Sequence, residues 1–303
     1  MIDDLTVLQE TFVPRGELFL HRHNELERLA RALKPVERGH AGETVLLFGP
    51  SGTGKTTTAR AAIDQLSEEV PTVATSYIDT WQNTRRAGVL HSLVDDVLQA
   101  PDIHRKSTPQ EMLYERLREV DRQVVVIMDE VDQLADEGVL RDLYELQNVT
   151  PILIANRETD LYGGLEPRIR SRLSVGIRVR FKKYSDQEVY DIIKKRAEHG
   201  LSPGSISQQH LRRIASASSG DARRAIVTLR VAAREAEARG LASITDDVVD
   251  EAVDQGTVAV RQKSLSRLDR HQRILYEVIE QSGPIAPSNV YQKYRERVRE
   301  ELG

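Results

Sequence analysis

Short apolar runs separated by longer amphipathic stretches dominate the first part of the chain. Five runs are predicted to be strands: 45–48, 73–78, 124–128, 152–155 and 177–181. The stretches between them are predicted to be helical, among them 55–66, 90–98 and 139–146. Because the strands are continuously apolar rather than alternating, both faces of their sheet must be covered. The pattern therefore predicts an α/β domain over residues 1–183, with a parallel sheet and helices on both faces.

From residue 184 the pattern changes to helices alone. Ser185 and Glu188 have the spacing of a capping box, and Gly200 is predicted to end the helix that they begin. Further helices are predicted at 208–219, 221–239 and 245–255, the last of them stopped by Gly256. This punctuation predicts an all-helical domain over 184–257. After a linker at 257–265, two more helices, 268–281 and 288–302, form a third segment, 265–303.

Composition excludes several classes of protein. Hydrophobic residues make up 39% of the chain and charged residues 30%, which excludes a disordered or fibrous protein. Cysteine is absent, so disulfides, cysteine–zinc sites and thiol nucleophiles are excluded. The longest aliphatic run, 124–128, is far shorter than the ~20 residues of a membrane helix, and we expect a cytoplasmic protein without a membrane partner. The net charge of −4 means that any nucleic-acid binding depends on local basic patches.

The strongest chemical signal is the loop after the first predicted strand. Residues 49–56 read Gly-Pro-Ser-Gly-Thr-Gly-Lys-Thr and match the phosphate-binding pattern G-x-x-x-x-G-K-[ST] in full. In such a P-loop, backbone amides and the start of the next helix surround the phosphates. Lys55 is expected to reach the β and γ phosphates. The hydroxyl of Thr56 is expected to bind Mg²⁺. The loop therefore predicts a nucleoside triphosphate with Mg²⁺.

Polar residues at the ends of two later strands support the same chemistry. Asp129 ends a buried strand and is predicted to hold the Mg²⁺ shell, as a Walker-B acid does. Glu130 is placed to polarise an attacking water. Asn156 ends the next strand and orients that water if the two strands are neighbours. The alternatives, a solvated acidic turn and a simple turn residue, stay open at this point.

Together these features resemble an AAA+ ATPase. In finer detail the chain is similar to archaeal replication initiators related to the origin recognition complex and the cell-division-control loading protein. Four segments carry this finer resemblance: 12–14 with His21, Arg22 and Glu25 (an adenine-pocket segment), 77–98 (an initiator-specific insertion), 166–173 (an arginine-finger segment) and 220–225, Gly-Asp-Ala-Arg-Arg-Ala (a sensor-2 helix). The resemblance covers about residues 10–300.

The resemblance implies roles for individual residues. Asn156 becomes sensor 1 and Arg223 sensor 2, and Arg172 becomes the finger that enters a neighbour's site, with Arg168 as its rival. An arginine finger contributes roughly 10³–10⁵ in rate, so a lone protomer is expected to be a weak ATPase. The implied contacts with ATP or ADP are Val13, Pro14, Arg22, Pro50, Ser51, Gly52, Thr53, Gly54, Lys55, Thr56, Thr57, Tyr190 and Arg223.

The resemblance also implies binding to double-stranded DNA. Arg85 and Arg86, in the insertion, would contact phosphates, although a solvated helix face is the competing interpretation. Helix 268–281 and residues 290–294 resemble the first two helices of a winged helix, and no recognition helix or wing follows before residue 303. We therefore expect an incomplete winged helix, which puts origin specificity in doubt.

The function that the resemblance implies is an ATP-dependent DNA replication initiator associated with the nucleoid. Its ATP/ADP state would control its affinity for origin DNA and the loading of the replicative helicase, and Arg172 would mediate self-association. Two alternatives remain. One is a nucleotide-bound regulatory DNA-binding module that hydrolyses no ATP. The other is a clamp-loader-like AAA+ subunit, which the Arg85–Arg86 insertion disfavours.

Overall fold

A five-stranded parallel sheet forms the centre of the first domain. The computed structural model describes residues 1–99, 108–266, 268, 270–283 and 286–302. The strands are β1 (Val45–Phe48), β2 (Ala74–Asp79), β3 (Val124–Asp129), β4 (Val149–Ala155) and β5 (Ile177–Arg180). Their order is β2-β3-β4-β1-β5, and every neighbouring pair is parallel. The predicted sheet is confirmed, with β4 starting three residues earlier than expected because residues 149–151 also pair with β3.

Helices cover both faces of this sheet. They are α1 (His23–Glu37), α2 (Lys55–Glu69), α3 (Arg86–Leu98), α4 (Gln110–Arg118), α5 (Gly138–Glu145), α6 (Glu158–Gly164) and α7 (Pro167–Ser174), with short 3-10 turns at Gly16–Leu18 and Val131–Gln133. Successive strand residues point to opposite faces. Thus Val125 and Ile127 pack with α1 and α2, whereas Val124, Val126 and Met128 pack with α3–α7. Two covered faces explain why the three central strands, β1, β3 and β4, are buried along their whole length. The edge strands β2 and β5 differ from the predicted pattern, because only alternate residues of β2 and one residue of β5 are buried.

The second domain is a helical lid. Its helices are α8 (Asp186–Gly200), α9 (Gln208–Ala217), α10 (Ala222–Ala238) and α11 (Asp246–Ser266). The capping box of Ser185 and Glu188 forms both of its hydrogen bonds, as predicted. The predicted stop at Gly256 and the linker 257–265 are wrong, because α11 continues to Ser266. Gly256 instead allows close helix packing, since a Cβ there would lie 2.2 Å from Thr228 Oγ1 on α10.

Two helices follow the lid, near the predicted positions. They are α12 (Arg270–Ser282) and α13 (Pro287–Leu302), which pack against each other with Ile274 and Val278 buried on α12. Residues 1–10 pack against the lid although the predicted boundary placed them in the first domain. Within the described part of the chain, every helix is too short or too polar to span a lipid bilayer.

Candidate nucleotide-binding site

A cavity opens at the carboxyl ends of the central strands, where the P-loop leads from β1 into α2. Residues 51–57 of the loop and helix line it. Gly52 and Gly54 have φ angles of 72° and 88°, in the left-handed region that glycine adopts without steric cost. Gly54 caps α2 without a side-chain hydrogen bond, so the first-turn amides of this helix have no capping side chain. Such an uncapped N-terminus next to a cavity is suited to bind phosphate.

Lys55 lies at the floor of this cavity. Its side chain is buried, and Nζ donates to the carbonyl oxygens of Gly49 (2.5 Å) and Pro50 (2.9 Å). A third, longer bond of 3.3 Å reaches Oδ1 of Asn156. Burial, together with the nearby charge of Arg223, lowers the pKa of Lys55 to about 8, and the carboxylate of Asp129 opposes this shift. The ammonium group is therefore desolvated and held beside the loop, where an anion would stabilise its charge.

Thr56 and Asp129 meet at one point of the cavity wall. Thr56 Oγ1 donates to Asp129 Oδ2 at 2.6 Å, and the Tyr77 hydroxyl donates to the same oxygen at 3.0 Å. Mg²⁺ commonly binds one or two carboxylates and takes its other ligands from phosphate and water. The described residues contain no cluster of three His, Asp or Glu side chains that could hold a metal alone. This pair therefore fits a Mg²⁺ whose other ligands come from a nucleotide.

Two residues that the sequence reasoning missed support this pair. Burial and the Asp129 carboxylate raise the pKa of Tyr77, which keeps its hydroxyl a donor. Arg60 of α2 stacks on the Tyr77 ring at 3.8 Å, and both residues line the cavity. In the sequence, the only feature that could have indicated a role for Tyr77 was its position near the end of a predicted strand. The order of the strands, which brings β2 beside β3, makes the contact.

Glu130 and Asn156 face the same cavity. Glu130 has a φ of 57°, a strained conformation for a residue other than glycine. Thr80 is fully buried and its Oγ1 donates to the carbonyl oxygens of both Asp129 and Glu130, which holds this turn. Asn156 follows β4, which lies between β1 and β3. The condition for its predicted role, a strand beside the Walker-B strand, is therefore met.

The lid closes the cavity from the opposite side. Arg223, in the first turn of α10, lines it. Asp221 caps this helix by accepting from the Arg224 amide at 3.0 Å. The Ala222 amide donates to the Gly52 carbonyl at 3.1 Å, and a Cβ on Gly52 would lie 1.8 Å from Asp221 Oδ1. The start of α10 thus touches the P-loop directly.

The N-terminal residues of the predicted site differ in what they do. Val13 and Pro14, for which the resemblance implied contacts with the nucleotide, line the cavity. Arg22 lies in the wall, but its guanidinium donates to the carbonyls of Thr53 (3.0 Å) and Lys182 (2.6 Å) and stacks on Tyr184 at 4.0 Å. The geometry of Arg22 is therefore that of a residue that shapes the P-loop.

Two other implied nucleotide contacts lie outside the cavity. Pro50 is not among the described residues that line the cavity, although its carbonyl oxygen accepts a hydrogen bond from Lys55 Nζ. Tyr190 is buried in the lid core, with the guanidinium of Arg212 4.6 Å from its ring. The contact implied for Tyr190 does not agree with this position, because the side chain packs with the lid helices.

The two candidates for the arginine finger are exposed on α7. Neither Arg168 nor Arg172 lines the cavity of its own chain. The Arg172 carbonyl accepts from the Tyr144 hydroxyl at 2.6 Å, which fixes the backbone and leaves the guanidinium at the surface. The choice between the two stays a prediction.

The two arginines of the insertion separate in the structure. Arg85 is exposed at the start of α3. Arg86 Nε and Nη2 donate to the two oxygens of Asp142 at 2.5 and 3.1 Å, and Asp142 is 3% exposed. This geometry contradicts a DNA-contacting role for Arg86, because its guanidinium is already paired with a buried carboxylate of α5.

Comparisons with known proteins match both domains. Residues 38–161 match a family model described as an AAA domain, and residues 190–254 match one described as a Cdc6 AAA+ ATPase-type lid domain. ORC1-type DNA replication protein 9 of Halobacterium salinarum is 40% identical over 98% of this chain and 84% of its own length. ORC1-type DNA replication protein 1 of the same organism is 39% identical over 97% and 95%.

A solved structure extends this similarity to the arrangement in space. The Aeropyrum pernix ORC1 protein, solved in complex with DNA, superposes with a TM-score of 0.79 at 27% identity, over 97% of this chain and 81% of that one. The P-loop, the acidic strand end and the lid arginine thus occur in a chain that is similar to these relatives over nearly its whole length. The chain belongs to the family of ORC1-type DNA replication proteins, with an AAA+ domain followed by a Cdc6-type lid.

Proposed function

We propose that this protein is a replication initiator that binds origin DNA, and that its ATP/ADP state sets its DNA affinity and its recruitment of the replicative helicase. One observation carries the nucleotide part: Lys55, Asp129 and Arg223 face a single cavity formed jointly by the AAA+ domain and the lid. The DNA part is supported by the relatives' names and by the ORC1 protein solved with DNA. Such a role associates the protein with the nucleoid.

Each residue of the cavity has a place in this proposal. The P-loop amides and Lys55 bind the phosphates, and Thr56 and Asp129 hold Mg²⁺, which neutralises and orients them. Glu130 accepts a proton from the attacking water, and Asn156 orients that water. Asn156 Oδ1 lies 3.3 Å from Lys55 Nζ, so the amide is already beside the group that would contact the γ phosphate.

The lid would report which nucleotide is bound. Arg223 extends from the first turn of α10, whose first residue, Ala222, already contacts Gly52. Loss of the γ phosphate removes an anion that favours this arginine near Lys55, and the two cations then repel each other. We therefore infer that hydrolysis loosens the lid, and that the lid position is what alters DNA affinity.

Turnover would depend on a second protomer. Arg172, or its rival Arg168, would enter a neighbour's cavity and stabilise the transition-state charge, a contribution of roughly 10³–10⁵ in rate. Both residues are exposed and lie outside their own cavity. We therefore expect ATPase activity per protomer to rise with protein concentration.

The test of the catalytic assignment is Glu130→Gln. It should keep ATP affinity and abolish hydrolysis, because the amide keeps the shape of the carboxylate but accepts no proton. The exposed Glu119→Gln, at the end of α4, is the matched control and should change neither. If the wild-type protein shows no turnover with DNA at high concentration, the regulatory module that hydrolyses no ATP is the better interpretation.

The test of the DNA assignment is Arg85→Ala. A phosphate contact carries no sequence information, so binding should weaken uniformly across sequences and the salt dependence should fall by about one counterion. Gel shifts at several salt concentrations measure both. Unchanged binding would remove the role of Arg85 in the insertion.

A further inference from the structure

The first twelve residues, here called the N-terminal segment, are bound to the lid. Ile2 forms an antiparallel bridge with Leu201, and the Asp3 amide donates to the Gly200 carbonyl at 2.9 Å. Leu8 is fully buried in the lid core, and a Cβ on Gly200 would lie 2.8 Å from it. The N-terminal segment is therefore packed as part of the lid, although a whole AAA+ domain separates the two in sequence.

One lid residue, Arg196 on α8, holds the end of this segment. Its guanidinium donates to the carbonyls of Val7 (2.6 Å), Gln9 (3.2 Å) and Phe12 (3.3 Å) and lies 4.8 Å from the centre of the Phe12 ring. Arg196 is 4% exposed, and no described carboxylate pairs with it. Burial lowers its pKa to about 10. Backbone carbonyls thus solvate the charge, which fixes the path of the chain around it.

This fixed path leads directly into the nucleotide cavity. Val13 and Pro14, which follow Phe12, line the cavity, and so does Arg196 itself. A second link between segment and lid is the ion pair of Glu10 with Arg230, at 2.5 Å. The P-loop end of the cavity is thus built by the AAA+ domain with Arg223 of the lid, whereas the wall formed by residues 13–14 is attached to the lid through the N-terminal segment.

We propose that Arg196 is a positioning residue for the base of the nucleotide, and that the N-terminal segment couples the base-binding wall to the lid. The proposal rests on the proposed function, since it requires a nucleotide in this cavity. It adds a second connection between nucleotide and lid, beside the one through Arg223. Contacts between the nucleotide base and residues 13–14 would then influence the position of the lid whether or not the γ phosphate is present.

The experiment compares a ligand that has a base with one that has none. Arg196→Met removes three hydrogen bonds from the N-terminal segment but leaves the P-loop untouched. The dissociation constant of ADP should rise about tenfold, whereas that of inorganic tripolyphosphate should stay within about twofold. Arg212→Met is the matched control, because this lid arginine also stacks on an aromatic ring but lies outside the cavity. It should change neither constant.

The ratio of the two constants decides the outcome. Equal weakening of both ligands would make Arg196 an ordinary structural residue, and unchanged ADP binding would also overturn the proposal. If the wild-type protein binds neither ligand, the proposed function itself fails. Should Arg196→Met not fold, Phe12→Leu removes only the ring below the guanidinium and should shift the ratio about threefold in the same direction. An unchanged ratio in that variant would overturn the proposal.

Discussion

Replacing Arg86 by alanine separates a structural role from a DNA-binding role. In the structure, Arg86 at the start of α3 donates two hydrogen bonds to Asp142 of α5. The Asp142 side chain is 4% exposed, so its carboxylate has little access to water once the arginine is gone. Arg86→Ala therefore leaves a buried charge without its partner, which costs far more than the loss of a surface ion pair.

The size of the effect follows from burial. Removing one partner of a fully buried pair costs about 3–5 kcal/mol. The Arg86 side chain is 20% exposed, so some water already reaches the pair, and we expect about 2–3 kcal/mol. For a chain of this size the melting temperature should fall by about 4–10 °C. The double variant Arg86→Met/Asp142→Leu should recover much of this loss, since apolar groups can replace a buried ion pair.

The assay measures stability and DNA affinity side by side, with Arg85→Ala as the neighbouring control. Arg86→Ala should lower the melting temperature and, well below that temperature, bind DNA with wild-type affinity. Arg85→Ala, an exposed change, should stay within about 0.5 kcal/mol of wild-type stability and bind DNA more weakly. The opposite pattern, a stable Arg86→Ala protein with weakened DNA binding, would refute the structural assignment.

Two glycine substitutions test close contacts elsewhere. Gly256→Ala would ordinarily stabilise a helix by about 1 kcal/mol, but here the new Cβ meets Thr228 at 2.2 Å. We expect a net loss of about 1–3 kcal/mol in urea unfolding, and a gain would contradict the packing. Gly52→Ala would place a Cβ 1.8 Å from Asp221 Oδ1, so ADP affinity should fall at least about tenfold. Gly204→Ala is the control for backbone strain, because Gly204 has a φ of 83° but a Cβ there would have no neighbour within 4 Å. If Gly52→Ala and Gly204→Ala lowered ADP affinity equally, the contact with Asp221 would not be the cause.

The parts of this protein that could be predicted from sequence depend on contiguous residues. The five strands, the P-loop and the helix cap at Ser185 lie at or close to their expected positions. Each of these features is encoded by residues that are close together in the sequence. The signals are the period of the hydrophobic residues, the glycines of the loop and the hydroxyl that caps a helix. Gly256 shows where this reasoning fails, because a glycine at a helix crossing has the same local signature as a glycine that ends a helix.

Other parts of the site depend on residues far apart in the chain. The Tyr77 hydroxyl reaches Asp129 only because β2 pairs with β3. Arg86 was predicted to face DNA, and its pairing with Asp142 depends on how α3 packs beside α5. For both Tyr77 and Arg86, the sequence pattern predicted the strand or helix in which the residue lies but not the side chain that it contacts.

Local patterns in the sequence were sufficient to predict the α/β and helical-lid architecture, the P-loop that contains Lys55 and Thr56, and the family resemblance. The packing of distant elements determines which side chains share the cavity, that Arg86 pairs with Asp142, and that residues 1–12 contact the lid. The difference arises from the distance along the chain over which each kind of interaction acts. Helix, strand and loop preferences arise from interactions over a few residues, whereas Arg196 and Val7 are 189 positions apart and their contact depends on how the elements between them are arranged in space.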